Sequence, residues 1–259
     1  LMYELLMPIF TSRFFLHFEK RMLQAADAII VHYDYTKELL VRDCGVDPAK
    51  IHVVPYYVET YSRRLEDGEK AERIKDAVSK KPLVVCVCRQ DERKGINYLL
   101  RATKELLKEA PIHVAIAGTG RLLHANEGLA RKLGVGSSVT FLGRVNEIDE
   151  LLAHADVFVL PSLQEGSGSL AVLEAMKIGI PIVTTKCSGG LHEDIENGVS
   201  GILVPPEDPN ALATAISAIL TDRELATSLA REAKLTYERR FSPERMQNGL
   251  SEVYRTFLE

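Results

Sequence analysis

The residues best suited to chemistry stand in a short segment, 161–169, between an apolar strand pattern at 157–160 and an apolar helix pattern at 170–177. Glycines let a backbone come close to a ligand, and the first N–H groups of a helix, with the helix dipole behind them, favour an anion. We therefore predict a phosphate-binding loop, although two glycines in such a place are as typical of a plain tight turn. The residues concerned are Gly166, Gly168, Ser169 and Leu170.

Two carboxylates flank this loop, Glu165 within it and Glu174 on the predicted helix. Anions beside a phosphate site weaken phosphate binding unless they face another group. A carboxylate can accept two hydrogen bonds from a vicinal diol, so sugar hydroxyls are the natural partner. Glu174 could instead be a solvated helix residue, but its neighbours Leu173, Ala175 and Met176 are of the types that proteins bury.

Two cations follow the predicted strand at 83–87, where another helix begins. Arg89 and Lys94 occupy this position, which cations usually avoid because the helix dipole is positive there. A bound anion would explain them, although exposed basic residues are common in any protein. A third candidate is the glycine turn Gly189-Gly190, which precedes acidic residues and is equally consistent with a loop cap.

The elements that must position these residues can be predicted from the apolar patterns. Strand patterns alternate with helix patterns, which is typical of an α/β fold whose parallel sheet is covered by helices on both faces. Such sheets bind ligands at the carboxyl ends of their strands. The predicted strands of this sheet are 83–87, 113–117, 138–142, 157–160, 181–184 and 201–204.

The composition excludes several classes of protein. The chain has 259 residues, 46% hydrophobic and 26% charged, and a net charge of −4 that argues against nucleic acid as the main partner. Its four cysteines are too few and too scattered for a disulfide framework, which predicts a reducing cytoplasm. None pairs with a histidine at metal-ligand spacing, so no metal site is predicted. No apolar run approaches the roughly 20 residues that span a bilayer. We interpret the apolar start as the interior of a longer or truncated chain.

As a set, these motifs resemble the retaining GT-B glycosyltransferases of family four. The resemblance implies a Rossmann-like parallel sheet, the C-terminal half of a GT-B fold, with a remnant of a first α/β domain. It runs from Phe18 to the end of the chain. The motifs that carry it are 18–30, 45–55, Val87-Cys88-Arg89 with Lys94-Gly95, 139–145, Glu165-Gly166 through Met176, 179–183 and 189–204.

The resemblance implies an organisation of the chain into four segments. Residues 1–58 correspond to the end of an acceptor domain with the crossing into the next one. Residues 59–81, which are crowded with charges, form a linker and a helix. Residues 82–238 form the domain that binds a nucleotide-sugar donor, and residues 239–259 form a C-terminal helix.

The resemblance also implies the chemistry. A hexose is transferred with retention from a nucleoside diphosphate sugar to a glycan or lipid acceptor, without a metal or other cofactor. Glu165, Arg89 and Lys94 are the implied catalytic residues: Glu165 faces the donor sugar, and the two cations hold the diphosphate with the glycine loop. Glu174 holds the ribose hydroxyls. Further contacts with the donor nucleotide are implied for Gly118, Gly143, Arg144 and Val145.

Nucleic acid is not an expected partner of such a chain. The exposed apolar start predicts a contact with something else, either a peripheral contact with the inner face of a membrane or a separate chain that completes the acceptor domain.

Three departures from the family pattern stand out. Eight residues separate Glu165 from Glu174, one more than in the family, so the loop bulges or Glu165 is displaced. Cys88 replaces a glycine, and Tyr56-Tyr57 replaces an Asn-Gly turn.

Other functions remain as alternatives. A dinucleotide oxidoreductase is disfavoured because no acid follows the strand at 181–184 to bind a ribose, and a serine hydrolase because 166–170 lacks the G-x-S-x-G pattern. A sugar-nucleotide epimerase or hydrolase on the same fold stays open. So does a non-catalytic nucleotide-sugar-binding half of a split or truncated protein.

Overall fold

The computed structural model describes residues 13–58, 76–77, 79–80, 82–146, 148–166 and 168–258. The described residues form two compact units. One contains those up to Tyr56 together with those from Ser242 onward, and the other contains Tyr57–Phe241.

In chain order the helices and strands are α1 (Arg13–Ala25), β1 (Ile29–Val31), α2 (Asp34–Cys44), β2 (Ile51–Val53), β3 (Leu83–Val87), α3 (Ile96–Leu106), β4 (His113–Ala117), α4 (Leu123–Leu133), β5 (Val139–Gly143), α5 (Ile148–Ala153), β6 (Val157–Leu160), α6 (Leu170–Ile178), β7 (Ile182–Thr185), α7 (Leu191–Asp194), β8 (Ile202–Val204), α8 (Pro209–Thr221), α9 (Arg223–Arg240) and α10 (Pro243–Leu258). None of these helices combines the length and apolar character that crossing a bilayer requires.

The smaller unit is a parallel pair of strands with helices packed on it. Strand β1 pairs with β2 in parallel, with Ile29 opposite Ile51. Helix α2 ends at Gly45, whose left-handed backbone (φ 66°) closes the helix. Helix α10 is capped by Ser242, whose Oγ accepts a hydrogen bond from the backbone N–H of Arg245 at 3.3 Å.

The larger unit is built on a six-stranded parallel sheet in the order β5-β4-β3-β6-β7-β8, flanked by helices. The predicted fold class is confirmed. All of β6 and the first four residues of β3 are buried on both faces of the sheet, which explains why these strands are continuous apolar runs in the sequence. Strand β3 connects to β4 on one side, while β6 takes the place on its other side. A crevice therefore opens between the carboxyl ends of β3 and β6.

The structure adds elements that the apolar patterns did not predict. The stretch 223–240 is a long helix, α9, although its sequence is crowded with charges; it buries only one narrow stripe, Leu229, Ala233 and Tyr237. The Tyr237 hydroxyl donates to the carbonyl of Val58 at 3.1 Å, which ties the start of this unit to α9. A single 3-10 turn, Glu92–Lys94, also precedes α3.

Candidate functional site

A cleft of about 560 Å³ lies at the carboxyl edge of the sheet in the larger unit. The ends of β3 and β4, the segment after β5, the loop after β6 and the start of α6 surround it. All but one of the residues expected to contact the donor line this cleft. The exception is Gly143, whose carbonyl accepts a hydrogen bond from the N–H of Gly118 at 2.6 Å. The lining residues among the predictions are Arg89, Lys94, Gly118, Arg144, Val145, Glu165, Gly166, Gly168, Ser169, Leu170 and Glu174.

Glu165 is buried in the wall of the cleft, with 6% of its surface exposed. Its Oε1 accepts hydrogen bonds from the Ser162 hydroxyl at 2.6 Å and from the Lys94 ammonium at 2.5 Å. Its backbone N–H donates to the carbonyl of Ser188 at 2.9 Å. Since Glu165 and Glu174 line the same cleft, the extra residue between them has not removed Glu165 from it.

The predicted glycine turn after β7 supports the backbone of Glu165. Gly189 has φ 117°, and a Cβ at this position would lie 1.6 Å from the carbonyl oxygen of Glu165. Only glycine allows the two backbones to come this close. The N–H of Gly190 also donates to the carbonyl of Gly166 at 3.2 Å. The turn thus buttresses the loop that carries the site residues.

Lys94 and Arg89 reach the cleft from the segment after β3. Gly95 (φ 62°) follows Lys94, and a Cβ there would lie 2.0 Å from the carbonyl oxygen of Pro161, so the loops after β3 and β6 are in direct backbone contact. The side chain of Arg89 is mostly exposed, and its Nε lies 3.2 Å from Oδ2 of Asp91. Burial acts to raise the pKa of Asp91, but hydrogen bonds from Arg93 and Arg89 outweigh it and the pKa lies below its usual value.

Glu174 faces the cleft from α6 and has an unusual ionisation. Burial raises its pKa to about 7, and the nearby Asp149 carboxylate adds to the increase, while Lys177 opposes it. Near neutral pH this side chain therefore exists in both charged and uncharged forms. A carboxyl group with this property, placed in a cleft, is a candidate for ligand binding.

The start of α6 offers hydrogen-bond donors to the cleft. Ser169 is the N-cap residue and makes no side-chain capping hydrogen bond, while its carbonyl already accepts from Val172 and Leu173. The first N–H groups of a helix have no partners within the helix, and they carry the positive end of its dipole. Together with Lys94 and Arg89, they make this part of the cleft suited to an anion such as a diphosphate.

Comparison with known proteins decides the family. The sequence profile of Glycosyl transferases group 1 matches residues 67–236, and that of Glycosyltransferase Family 4 matches residues 7–62. The chain belongs to the glycosyl transferases group 1 family. The match at 67–236 includes every residue that lines the cleft.

Relatives of this group 1 chain include enzymes with named donors or acceptors. It is 32% identical to a GDP-mannose-dependent alpha-(1-6)-phosphatidylinositol monomannoside mannosyltransferase of Mycolicibacterium smegmatis, over 81% of this chain and 57% of that protein. It is 33% identical to a D-inositol 3-phosphate glycosyltransferase of Geodermatophilus obscurus, over 93% of this chain and 55% of that protein. The chain thus spans about half the length of the curated relatives it matches.

Solved structures share the fold of this group 1 chain. Anabaena HepE, crystallised with UDP and glucose, superposes with a TM-score of 0.84 at 20% identity, over 96% of this chain and 69% of that one. This likeness shows the fold.

The residues that our structure describes contain no cluster of three or more His, Cys, Asp or Glu side chains that could hold a metal ion.

Two buried polar residues of this group 1 chain shape the cleft although the sequence did not predict them. Ser162 is fully buried and donates to Glu165. Gln90 is fully buried, donates to the carbonyl of Gly118 at 3.0 Å and accepts from Asn126 at 3.0 Å, so it joins the ends of β3 and β4. The available signal was their position two or three residues after an apolar strand, where a polar side chain needs a partner if it is buried.

Proposed function

We propose that this chain binds a nucleoside diphosphate sugar in the cleft and serves the transfer of its hexose, with retention and without a metal, to a glycan or lipid acceptor. The observation that carries the proposal is the meeting of an anion-binding helix start, two cations and two carboxylates at the point between β3 and β6 where such sheets bind ligands. Family membership and the GDP-mannose named for one relative support it.

The charges divide the cleft between the parts of such a donor. The N–H groups at the start of α6, with Arg89 and Lys94, suit the diphosphate. Glu174, on the second turn of α6, suits the ribose diol when it is ionised. Glu165, buried beside Lys94, suits the hydroxyls of the sugar.

The same groups account for catalysis without a metal. When the bond between sugar and phosphate breaks, negative charge grows on the leaving diphosphate. Positive groups already fixed around the diphosphate stabilise that charge without reorganising, and this lowers the barrier. Lys94 is well placed for this role because its ammonium is held at 2.5 Å from Glu165 before the reaction begins.

The first test is a metal-free calorimetric titration of the chain with UDP, GDP and ADP. We expect one nucleotide to bind, and Glu174→Ala to weaken it at least tenfold. A matched control is Glu224→Ala, since Glu224 is an exposed carboxylate on α9 outside the cleft. Failure of all three nucleotides to bind, or equal affinity in Glu174→Ala, would contradict the assignment of the cleft.

Two further candidates share the cleft and its ligand: a hydrolase of the donor, and a protein that binds the donor without turning it over. Incubation with a radiolabelled form of the donor that binds separates the candidates. Transfer to an added acceptor supports the transferase, release of free sugar without an acceptor indicates a hydrolase, and tight binding without turnover supports the binding protein.

A further inference from the structure

Two thiols lie together at the inner side of the cleft. Cys86 is in β3 and Cys88 follows the strand, so their side chains point to the same face of the sheet. Their Sγ atoms are 3.8 Å apart. Cys86 is fully buried, whereas Cys88 is partly exposed and lines the cleft. Cys88 is also the residue that replaces a glycine of the family pattern.

The surroundings favour reaction at Cys88 first. A reagent reaches a thiol only where it is exposed, and Cys88 is partly exposed in the cleft while Cys86 is fully buried. The hydrogen bond to Cys88, together with burial, raises the pKa of Cys86 well above its usual value. Cys86 therefore keeps its proton, and a reagent in the cleft meets Cys88.

A bond between the two sulfurs requires Cys88 to move. The Sγ atoms are 3.8 Å apart, and alternate residues of a strand lie about 6.6 Å apart along it with parallel side chains. A disulfide brings the two Cβ atoms to about 3.5–4.5 Å, so Cys88, which follows the strand, must shift toward Cys86 for the bond to form. A disulfide formed against the backbone in this way is strained, and strained disulfides are readily reduced, which suits reversible formation.

We propose that Cys88 and Cys86 form a redox-active dithiol whose oxidation closes the cleft to nucleotides. The Cys88 thiolate attacks a small disulfide, forms a mixed disulfide and releases one thiolate. Cys86 then attacks the Cys88 sulfur, releases the second thiolate and gives its proton to water. Two protein thiols are oxidised, and one small disulfide is reduced to two thiols.

The position of Cys88 connects this bond to the cleft. Its N–H donates to the carbonyl of Ala117 at 3.0 Å, and its carbonyl oxygen would lie 2.0 Å from a Cβ on Gly118. Drawing Cys88 toward Cys86 therefore shifts Arg89 and strains the contact with Gly118, both of which line the cleft. This consequence for nucleotides rests on the proposed function, whereas the thiol chemistry does not.

The test of the chemistry is mass spectrometry of the whole chain after incubation with oxidised glutathione. We expect the mass to fall by two hydrogens, a cross-link between Cys86 and Cys88 in the peptide map, and reversal by dithiothreitol. Cys86→Ala should retain a glutathione adduct on Cys88, and Cys88→Ser should show neither product. Cys44→Ser is the matched control, since Cys44 lies in the smaller unit, and it should behave as the unmodified chain does.

Three results would overturn the dithiol: an unchanged mass, a stable glutathione adduct on Cys88 in the unmodified chain, or a cross-link that involves another cysteine. Calorimetry then tests the closing of the cleft, with at least tenfold weaker nucleotide binding expected after oxidation and recovery after reduction. Equal binding by both forms would refute that part. If the reduced chain binds no nucleotide, the proposed function is refuted, but the mass spectrum still shows whether Cys86 and Cys88 form a disulfide.

Discussion

At the scale of single residues, the site depends on how one carboxylate oxygen is held. Oε1 of Glu165 receives two hydrogen bonds, one from Ser162 and one from Lys94, and the whole side chain is buried. A buried carboxylate is costly unless donors satisfy it, and two donors on one oxygen also fix how the group is turned. Ser162 thus sets the orientation of Glu165 without itself lining the cleft.

Replacing Ser162 by alanine should therefore weaken both the fold and the site. We expect the free energy of unfolding to fall by about 1–3 kcal/mol, the cost of removing a hydrogen bond to a buried charge. Nucleotide-sugar affinity should fall while affinity for the bare nucleotide stays, because Glu165 suits the sugar. Urea unfolding and calorimetry measure these effects. Ser217→Ala is the control, since it removes an exposed serine–glutamate hydrogen bond and should change neither quantity much.

The ionisation of Glu174 predicts a pH-dependent affinity. Its pKa is about 7, and only the charged form can accept hydrogen bonds from both ribose hydroxyls. Nucleotide affinity should therefore level off about one pH unit above 7 and fall below pH 7, approaching tenfold per pH unit, and binding at neutral pH should release a proton from the molecules that are still protonated. Calorimetry across pH 5.5 to 8.5, in buffers of different ionisation enthalpy, measures both. A Glu174→Gln variant with the same pH dependence would rule out this origin.

At the scale of elements, the cleft is held in shape by places where two loops touch through their backbones. Gly95 lies against Pro161, Gly118 against Cys88, and Gly189 against Glu165, each with a positive φ and no room for a Cβ. These contacts join the loops after β3, β4, β6 and β7. The loops therefore act as one rigid edge, which is what a preorganised binding site needs.

Gly189→Ala tests this edge. The new Cβ would overlap the Glu165 carbonyl, so the turn must move and take Glu165 with it. We expect a clear loss of stability together with loss of nucleotide-sugar binding. Gly134→Ala provides the control because Gly134 also has a positive φ, 77°, but nothing lies within 4 Å of its Cβ position. That variant should lose only about 1–2 kcal/mol, the cost of the left-handed backbone, and should bind as before.

At the scale of the larger unit, the strand order places the cleft at the carboxyl ends of the two central strands of the sheet. Strands β3 and β6 are at the centre of the sheet and almost entirely buried, and their connections leave on opposite sides. A ligand in the crevice thus contacts loops from both halves of the sheet. Binding in the cleft should stabilise the whole unit, because unfolding any of these strands destroys the site.

Ligand-dependent unfolding measures this coupling. At a free nucleotide concentration one hundred times its Kd, the free energy of unfolding of the larger unit should rise by about 2.7 kcal/mol. Thermal unfolding followed over a range of nucleotide concentrations gives the increase. In Glu174→Ala the increase should be smaller at the same concentration. No increase with a nucleotide that calorimetry shows to bind would mean that it binds outside the folded cleft.

Much of this molecule could be predicted from its residues because the information is local. A buried parallel strand needs apolar side chains on both faces, so 83–87 and 157–160 are recognisable without any neighbour. Glycines at the start of a helix predicted a phosphate-binding loop from residue types alone, and the structure places that loop in the cleft. The helix α9 escaped prediction because it buries only one narrow stripe of side chains, which its many charges obscure.

What the sequence by itself determined is the class of fold, the family and the set of residues at the cleft, since each of these depends on residue type and spacing along the chain. Only the tertiary structure decided which atoms meet. The pairing of Lys94 with Glu165 joins residues 71 positions apart, and the contact of Gly189 with Glu165 arises because β6 and β7 are neighbours in the sheet. The raised pKa of Glu174 likewise comes from burial and from Asp149 on another helix. Contacts between distant elements, and the burial of side chains away from water, exist only once the chain has folded.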